Sequence, residues 1–218
     1  MRYETVIFDL DGTLLDTLED LCDSTNFALS SFGYPERTLA EVRSFVGNGI
    51  GKLIERALPG GRENHDYDAV LDKFKAHYAA NCNNKTKAYR GICVMLDKLK
   101  AGGAKMAVVS NKVDSAVREL CERYFPGYFE IAVGEREGVR RKPAPDSVFA
   151  AMEALAAKKG STVYIGDSEV DVQTAKNAGI PLIAVSWGFR DREALASLGD
   201  FDIADTENEL ERLLFNKV

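Results

Sequence analysis

Histidine is nearly missing from this chain: His65 and His77 are the two in 218 residues. Both fall in a polar stretch with helical spacing, which leaves little material for a histidine-centred triad or a histidine metal site. Cysteine is scarce too. Cys22, Cys82, Cys93 and Cys121 show no C-x-x-C spacing and no zinc-ligand spacing to a histidine. Four reduced thiols are expected, and with them a cytoplasmic location. No apolar run approaches the roughly 18 residues of a spanning helix, and Met1–Phe8 carries Arg2 and Glu4, unlike a signal peptide. A basic excess is also absent. Lys and Arg number 28 against 34 Asp and Glu, a formal charge of −6. Neither a nucleic acid nor a membrane surface is therefore an expected partner.

What is present is an ordinary globular composition, 45% hydrophobic and 28% charged, in a length that suits one large domain or a core with an insert. Tyr3–Phe8 reads as a buried strand ending at Asp9-Leu10-Asp11-Gly12. Helical spacing follows over Leu18–Phe32, Leu39–Val46, Ile50–Leu58 and Ala69–Ala80, punctuated by Gly33, Pro35, Gly47, Gly49 and Pro59-Gly60-Gly61. From Gly91 strands and helices alternate. Strands are expected at Lys105–Val109, Phe129–Val133, Thr162–Ile165, Pro181–Val185 and Phe201–Ala204. Helices are expected at Val94–Lys100, Ser115–Tyr124, Asp146–Lys158, Val170–Ala178, Arg192–Leu198 and Glu207–Phe215. Short apolar strands separated by helices predict an α/β fold, a doubly wound, Rossmann-like parallel sheet. The expected core is 1–16 with 85–218, and 17–84 is an inserted all-helical cap domain.

Such sheets bind ligands beyond the carboxyl ends of their strands, and there the polar residues collect. The first strand ends in Asp9 and Asp11, the second in Ser110 and Asn111, and the fourth in Asp167 and Asp171; Lys142 follows the third. Carboxylates gathered at one sheet edge repel each other. A hard divalent cation with oxygen ligands relieves that, and Mg²⁺ suits a site shared with a phosphate. A lysine with hydroxyl or amide donors suits phosphate oxygens.

Asp9-Leu10-Asp11-Gly12-Thr13-Leu14 resembles the first motif of the haloacid dehalogenase superfamily of phosphohydrolases. Ser110, Lys142 and Gly166-Asp167-Ser168-Glu169-Val170-Asp171 match the second, third and fourth motifs in order. The resemblance implies that Asp9 is the nucleophile and Asp11 the general acid and base. It implies Mg²⁺ held by Asp9, the Asp11 carbonyl and Asp167, with Asp171 completing the metal site in or near the layer just outside those ligands. Ser110 and Lys142 would bind the transferring phosphoryl group, with Asn111 and the amides around Gly12 and Thr13 adding hydrogen bonds. Gly12 would permit the tight turn.

Within the insert, Phe45-Val46-Gly47-Asn48-Gly49 before Leu53–Leu58 resembles the cap of phosphoglycolate phosphatases. That makes Asn48 and Arg56 candidate donors to a substrate carboxylate. Gly51-Lys52 is followed by Leu53, so this is no P-loop. One departure is Ala88-Tyr89-Arg90-Gly91, where relatives often carry Pro-Tyr-Pro-Gly. The resemblance implies a phosphoric monoester hydrolase acting on a small phosphorylated metabolite, with 2-phosphoglycolate favoured, as a monomer or homodimer. Pyrophosphatase, sugar-phosphate phosphatase and phosphohexose mutase activities fit the same core. A phospho-accepting signalling domain is the distant alternative, set apart by its shorter length and its acceptor on the third strand.

Overall fold

The computed structural model describes residues 1–215. The chain forms two compact units, Asp16–Lys87 and a second built from Met1–Leu15 and the chain from Ala88 onward. It leaves strand β1 (Thr5–Phe8), crosses at β2 (Leu15–Asp16) and returns at β3 (Lys87–Ala88), which pairs with β2.

The unit between these crossings is helical: α1 (Leu18–Ser30), α2 (Leu39–Phe45), α3 (Ile50–Ala57), a 3₁₀ turn (Gly61–Glu63) and α4 (Tyr67–Asn81). Thr38 and Glu41 form a capping box that starts α2. The buried faces of α1 (Leu21, Ala28, Leu29) and α4 (Val70, Phe74, Tyr78) supply much of this unit's interior, and the two helices pack together. Its edges lie beyond the 17 and 84 expected from helical spacing. Lys85 and Thr86 belong to it because their amides donate to the buried Asp20 carboxylate of α1 at 2.9–3.1 Å.

The second unit continues with α5 (Ile92–Ala101), β4 (Lys105–Val113), α6 (Asp114–Tyr124), β5 (Ile131–Glu135) and α7 (Asp146–Ala154). Then come β6 (Thr162–Gly166), α8 (Glu169–Ala178), β7 (Leu182–Val185), α9 (Arg192–Ala196), β8 (Asp202–Ala204) and α10 (Glu207–Phe215). The sheet order is β5-β4-β1-β6-β7-β8, with every pairing parallel. Counting these six strands along the chain, that is the 3-2-1-4-5-6 doubly wound order.

β1 is buried along its whole length. Val6 and Phe8 pack with Met95 and Leu96 of α5, Val117 of α6 and Leu210 of α10 on one face. Ile7 packs with Val148 of α7, Ala175 of α8 and Leu195 of α9 on the other. Such double burial explains why β1 reads as an unbroken apolar run rather than an alternation. Among the described residues no helix is long and apolar enough to cross a membrane.

β4 and α7 depart furthest from the sequence reading; β5 lies two residues later than expected, α9 ends two residues earlier, and the short β2 and β3 were not expected. β4 runs on through Ser110-Asn111-Lys112 to Val113, with its register to β5 shifting between Val109 and Val113; polar residues hid this extension. Helix α7 stops at Ala154, not Lys158. Ala156 takes φ +48, the Ala156 amide donates to the Glu153 carbonyl, and the Ala157 amide donates to Met152. This is a Schellman ending without its usual glycine, so no local signal marked it.

Candidate active site

Phe8 pairs with Val108 of β4 on one side and Ile165 of β6 on the other. The chain order reverses about this strand, so the ends of β1 and β6 flank the switch point where doubly wound sheets bind ligands. Asp9 leaves β1 there and Asp167 leaves β6. Asp9, Asp167 and Asp171 are all buried, and each offers an oxygen within 4.8 Å of the others.

The backbone makes room for this crowding. Gly12 has φ +86, and a Cβ there would overlap the Asp167 carboxylate; one on Gly166 would overlap the Asp171 side chain. Asp167 is held from two sides. Thr13 Oγ1 donates to Oδ1 at 3.0 Å and the Phe189 amide donates to Oδ2 at 2.7 Å. Asp171, in the first turn of α8, accepts at Oδ2 from the Asp167 and Ser168 amides and from Ser168 Oγ, at 2.6–3.2 Å. Its Oδ1 faces Lys142 Nζ at 2.8 Å and the Tyr164 hydroxyl at 3.2 Å. With donors on both oxygens, Asp171 is suited to orienting Lys142 and the start of α8 more than to direct ligation.

Lys142 is nearly inaccessible and bridges Asp171 and Asp9, reaching Asp9 Oδ1 at 2.9 Å. The Leu10 amide also donates to Asp9 Oδ1, at 2.7 Å. Burial works against the ammonium charge, but the Asp171 and Asp9 carboxylates outweigh it and hold the Lys142 pKa well above its ordinary value. Burial pushes Asp9 up to about 7, with Lys142 pulling it down and Asp171 pushing it further up. Asp167 is raised well above the carboxylate range by burial and by its neighbours Asp171 and Asp9. Three buried carboxylates thus gather beside one ammonium, which pairs with Asp9 and Asp171. That donor set, all hard oxygen, fits a divalent cation, which would supply the missing positive charge.

The other expected residues are placed as follows. Ser110 is buried on β4, and its Oγ accepts from the Lys112 amide at 3.2 Å. Asn111 Nδ2 donates to the Lys142 carbonyl at 3.1 Å, so its amide supports the lysine's main chain. Thr13, expected at the substrate, is buried with its hydroxyl committed to Asp167. Asn48 and Arg56 meet within the helical unit. Arg56 Nη2 donates to Asn48 Oδ1 and Nη1 to the Phe45 carbonyl, both at 2.7 Å, which ties the 45–49 turn to α3.

Two residues escaped the sequence reading. Tyr164 reads as one more core residue of β6, yet its hydroxyl accepts from Lys142 Nζ at 3.0 Å. Lys112 follows Ser110-Asn111 directly, and its ammonium lies 2.9 Å from Asp11 Oδ1. A polar group inside an aliphatic strand, and a cation beside the serine expected to meet phosphate, were the available signals.

Known proteins resemble this chain along most of its length. The profile of the haloacid dehalogenase-like hydrolases matches residues 6–185. A phosphoglycolate phosphatase of Mesorhizobium japonicum is 33% identical over 216 residues, covering 95% of each chain. A phosphoglycolate phosphatase of Rhodospirillum rubrum is 35% identical over 210 residues, 93% of this chain and 87% of that one. The crystal structure of a candidate phosphoglycolate phosphatase from Lactobacillus delbrueckii subsp. bulgaricus superposes with a TM-score of 0.95 at 37% identity over 100% of both chains. Sequence, topology and the strand-end carboxylates converge: the chain belongs to the haloacid dehalogenase-like hydrolases and is phosphoglycolate phosphatase-like.

Proposed function

We propose that this enzyme is a Mg²⁺-dependent phosphatase of small phosphomonoesters, 2-phosphoglycolate first among them, working through an aspartyl-phosphate on Asp9. The observation that carries the reading is the buried set of Asp9, Asp167 and Asp171 around one lysine at the switch point of the sheet. Free thiols at all four cysteines accord with a cytoplasmic enzyme.

Asp9, Asp167 and the Asp11 carbonyl would hold the cation, with Asp171 beside them; when bound, it offsets the charge between these carboxylates and the phosphoryl oxygens. The two ties to Asp9 fall on Oδ1, so Oδ2 is the oxygen assigned to attack. In the first step the Asp9 oxygen bonds to phosphorus, the bond from phosphorus to the leaving oxygen breaks, and Asp11 gives its proton to that oxygen. In the second, Asp11 takes a proton from water as the water oxygen attacks phosphorus. The bond to Asp9 breaks, and phosphate, free Asp9 and protonated Asp11 result. Ser110 and Lys142 bind the phosphoryl oxygens throughout. Asn48 and Arg56 are proposed to read the carboxylate of the substrate.

The test is a Mg²⁺-dependent phosphate-release screen over small phosphometabolites, with 2-phosphoglycolate expected to lead. Asp9→Asn should abolish turnover and the acid-stable, base-labile phosphoenzyme. Phosphate trapped on another residue would overturn the mechanism, and preference for a sugar phosphate would overturn the substrate.

A further inference from the structure

Lys112 is 7% exposed at its side chain and pairs with an Asp11 carboxylate that is 16% exposed. The two residues stand 101 positions apart in the chain. A lysine at a strand end is ordinarily solvated; this one has been drawn into the site. An ion pair this sheltered returns little stability, since desolvation offsets most of the attraction. What it does supply is a carboxylate fixed in one direction. Its main chain acts in the same sense. The Lys112 amide donates to Ser110 Oγ, so that oxygen's lone pair is engaged and its own proton is left to donate elsewhere.

We infer that Lys112 is a positioning residue for phosphoryl transfer: its ammonium aims the Asp11 carboxyl at the leaving oxygen and its amide aims the Ser110 hydroxyl at the phosphoryl group. The inference rests on the acid–base role proposed for Asp11. Proton delivery depends on distance, and a displacement of about 1 Å in a reacting group can cost roughly 100-fold in rate. The irregular register of β4 between Val109 and Val113 is where this segment departs from regular pairing, and it contains both Ser110 and Lys112.

The test compares Lys112→Met and Lys112→Arg with wild type at saturating Mg²⁺, on 2-phosphoglycolate and on 4-nitrophenyl phosphate. The alkyl ester needs a proton on its leaving oxygen; the nitrophenolate needs little help. Lys112→Met should lower kcat on 2-phosphoglycolate by about 100-fold with KM nearly unchanged. Its pre-steady-state burst of nitrophenol should be nearly that of wild type. Lys112→Arg should recover most of the loss, because a guanidinium can still reach the carboxylate. A raised KM for 2-phosphoglycolate with kcat intact would overturn the inference and place Lys112 on the substrate's carboxylate. A nitrophenol burst slowed as much as kcat on 2-phosphoglycolate would overturn it in favour of a structural role, because the burst step on that ester needs no proton from Asp11. Crystal structures of Lys112→Met and wild type give a readout independent of activity: the Asp11 carboxylate should rotate away, and an unmoved carboxylate overturns the inference. If wild type cleaves neither ester, the phosphatase reading fails, and the crystallographic comparison still decides the role of Lys112.

Discussion

The Tyr164 hydroxyl accepts a hydrogen bond from the Lys142 ammonium at 3.0 Å, inside the sheet, where both side chains are buried. The same hydroxyl lies 3.2 Å from the Val109 carbonyl and 3.2 Å from Asp171 Oδ1. Burial raises the Tyr164 pKa well above its ordinary value, so the phenol stays neutral. Tyr164→Phe keeps the ring and removes one acceptor from a buried cation. A hydrogen bond to a charged group contributes about 1.5–3 kcal/mol, and a loss of stability in that range is expected by chemical denaturation. The kcat/KM should fall by about tenfold as Lys142 loses one of its three anchors. Unchanged kinetics with unchanged stability would remove Tyr164 from the site.

Metal removal gives a second expectation. Asp9, Asp167 and Asp171 concentrate negative charge that one ammonium does not balance. A chelator should abolish phosphate release, and Mg²⁺ should restore it. Mg²⁺ at 100 times its Kd should stabilise the folded protein by about 2.7 kcal/mol, read as a rise in Tm. In Asp167→Ala this rise should be lost. Equal rises in both proteins would place the cation elsewhere.

How much of this was legible in sequence follows from where each signal resides. Asp9, Asp11, Asp167 and Asp171 stand at the ends of short apolar runs, so spacing and strand order located them before any contact was known. Tyr164 and Lys112 carry no such mark. The burial of Lys112 depends on Asp11 far away in the chain, and the role of Tyr164 depends on Lys142. Thr13 lies within a legible motif, yet whether its hydroxyl meets the substrate or Asp167 is decided by the approach of β6. The crossings at Leu15–Asp16 and Lys87–Ala88 are two residues each, too short for any period to register. Helix edges at Ser30, Phe45 and Ala57 fall close to the expected ends because Gly33, Gly47 and Pro59 punctuate them.

Asp114 provides the pH test. Burial raises its pKa, but the Gly134 amide at 2.9 Å, Arg118 at 2.8 Å and Arg136 at 3.6 Å outweigh that and lower it overall. A folded-state pKa below the unfolded value means stabilisation that is complete above the unfolded pKa of about 3.9 and lost as pH falls through the folded one. Asp114→Ala should therefore be less stable than wild type by about 2 kcal/mol at pH 7. The gap should shrink below about pH 4 as the wild-type carboxylate becomes protonated. A gap constant from pH 7 to pH 3 would show that the charge contributes nothing.

Ala156 is the described non-glycine residue with positive φ, at +48, and it is exposed. A Cβ in this left-handed region costs about 1–2 kcal/mol. Ala156→Gly removes that strain and, against it, frees the unfolded backbone by a smaller amount. The net expectation is a gain of up to about 1 kcal/mol, with activity unaltered because no site residue is touched. A destabilised Ala156→Gly protein would mean that the Ala157 bond to Met152 does not hold α7 in this way.

Asp20 tests the helical unit. Its carboxylate is 2% exposed and accepts from the Lys85 amide, the Thr86 amide and Thr86 Oγ1. It lies in the first turn of α1, where negative charge is favoured by the helix dipole. Both oxygens are used: Oδ1 meets the Lys85 amide at 3.0 Å, and Oδ2 takes the Thr86 donors at 2.8–2.9 Å. Asp20→Asn nearly preserves shape but turns one acceptor into a donor, so an NH₂ must face an N–H or O–H whichever way the amide is turned. Turned one way the NH₂ faces the Lys85 amide, which still reaches Oδ2 at 3.1 Å; turned the other it faces the Thr86 amide, so a buried donor is left without its acceptor, at about 1–3 kcal/mol. The expected loss is about 1–3 kcal/mol, concentrated where Lys85 and Thr86 lead into β3. Hydrogen exchange at the Lys85 and Thr86 amides should accelerate far more than at Val6 or Ile7 of β1, which belong to the other unit's core. Acceleration spread evenly over both units would mean that Asp20 supports global stability, and no acceleration at Lys85 and Thr86 would mean that their amides do not depend on its charge.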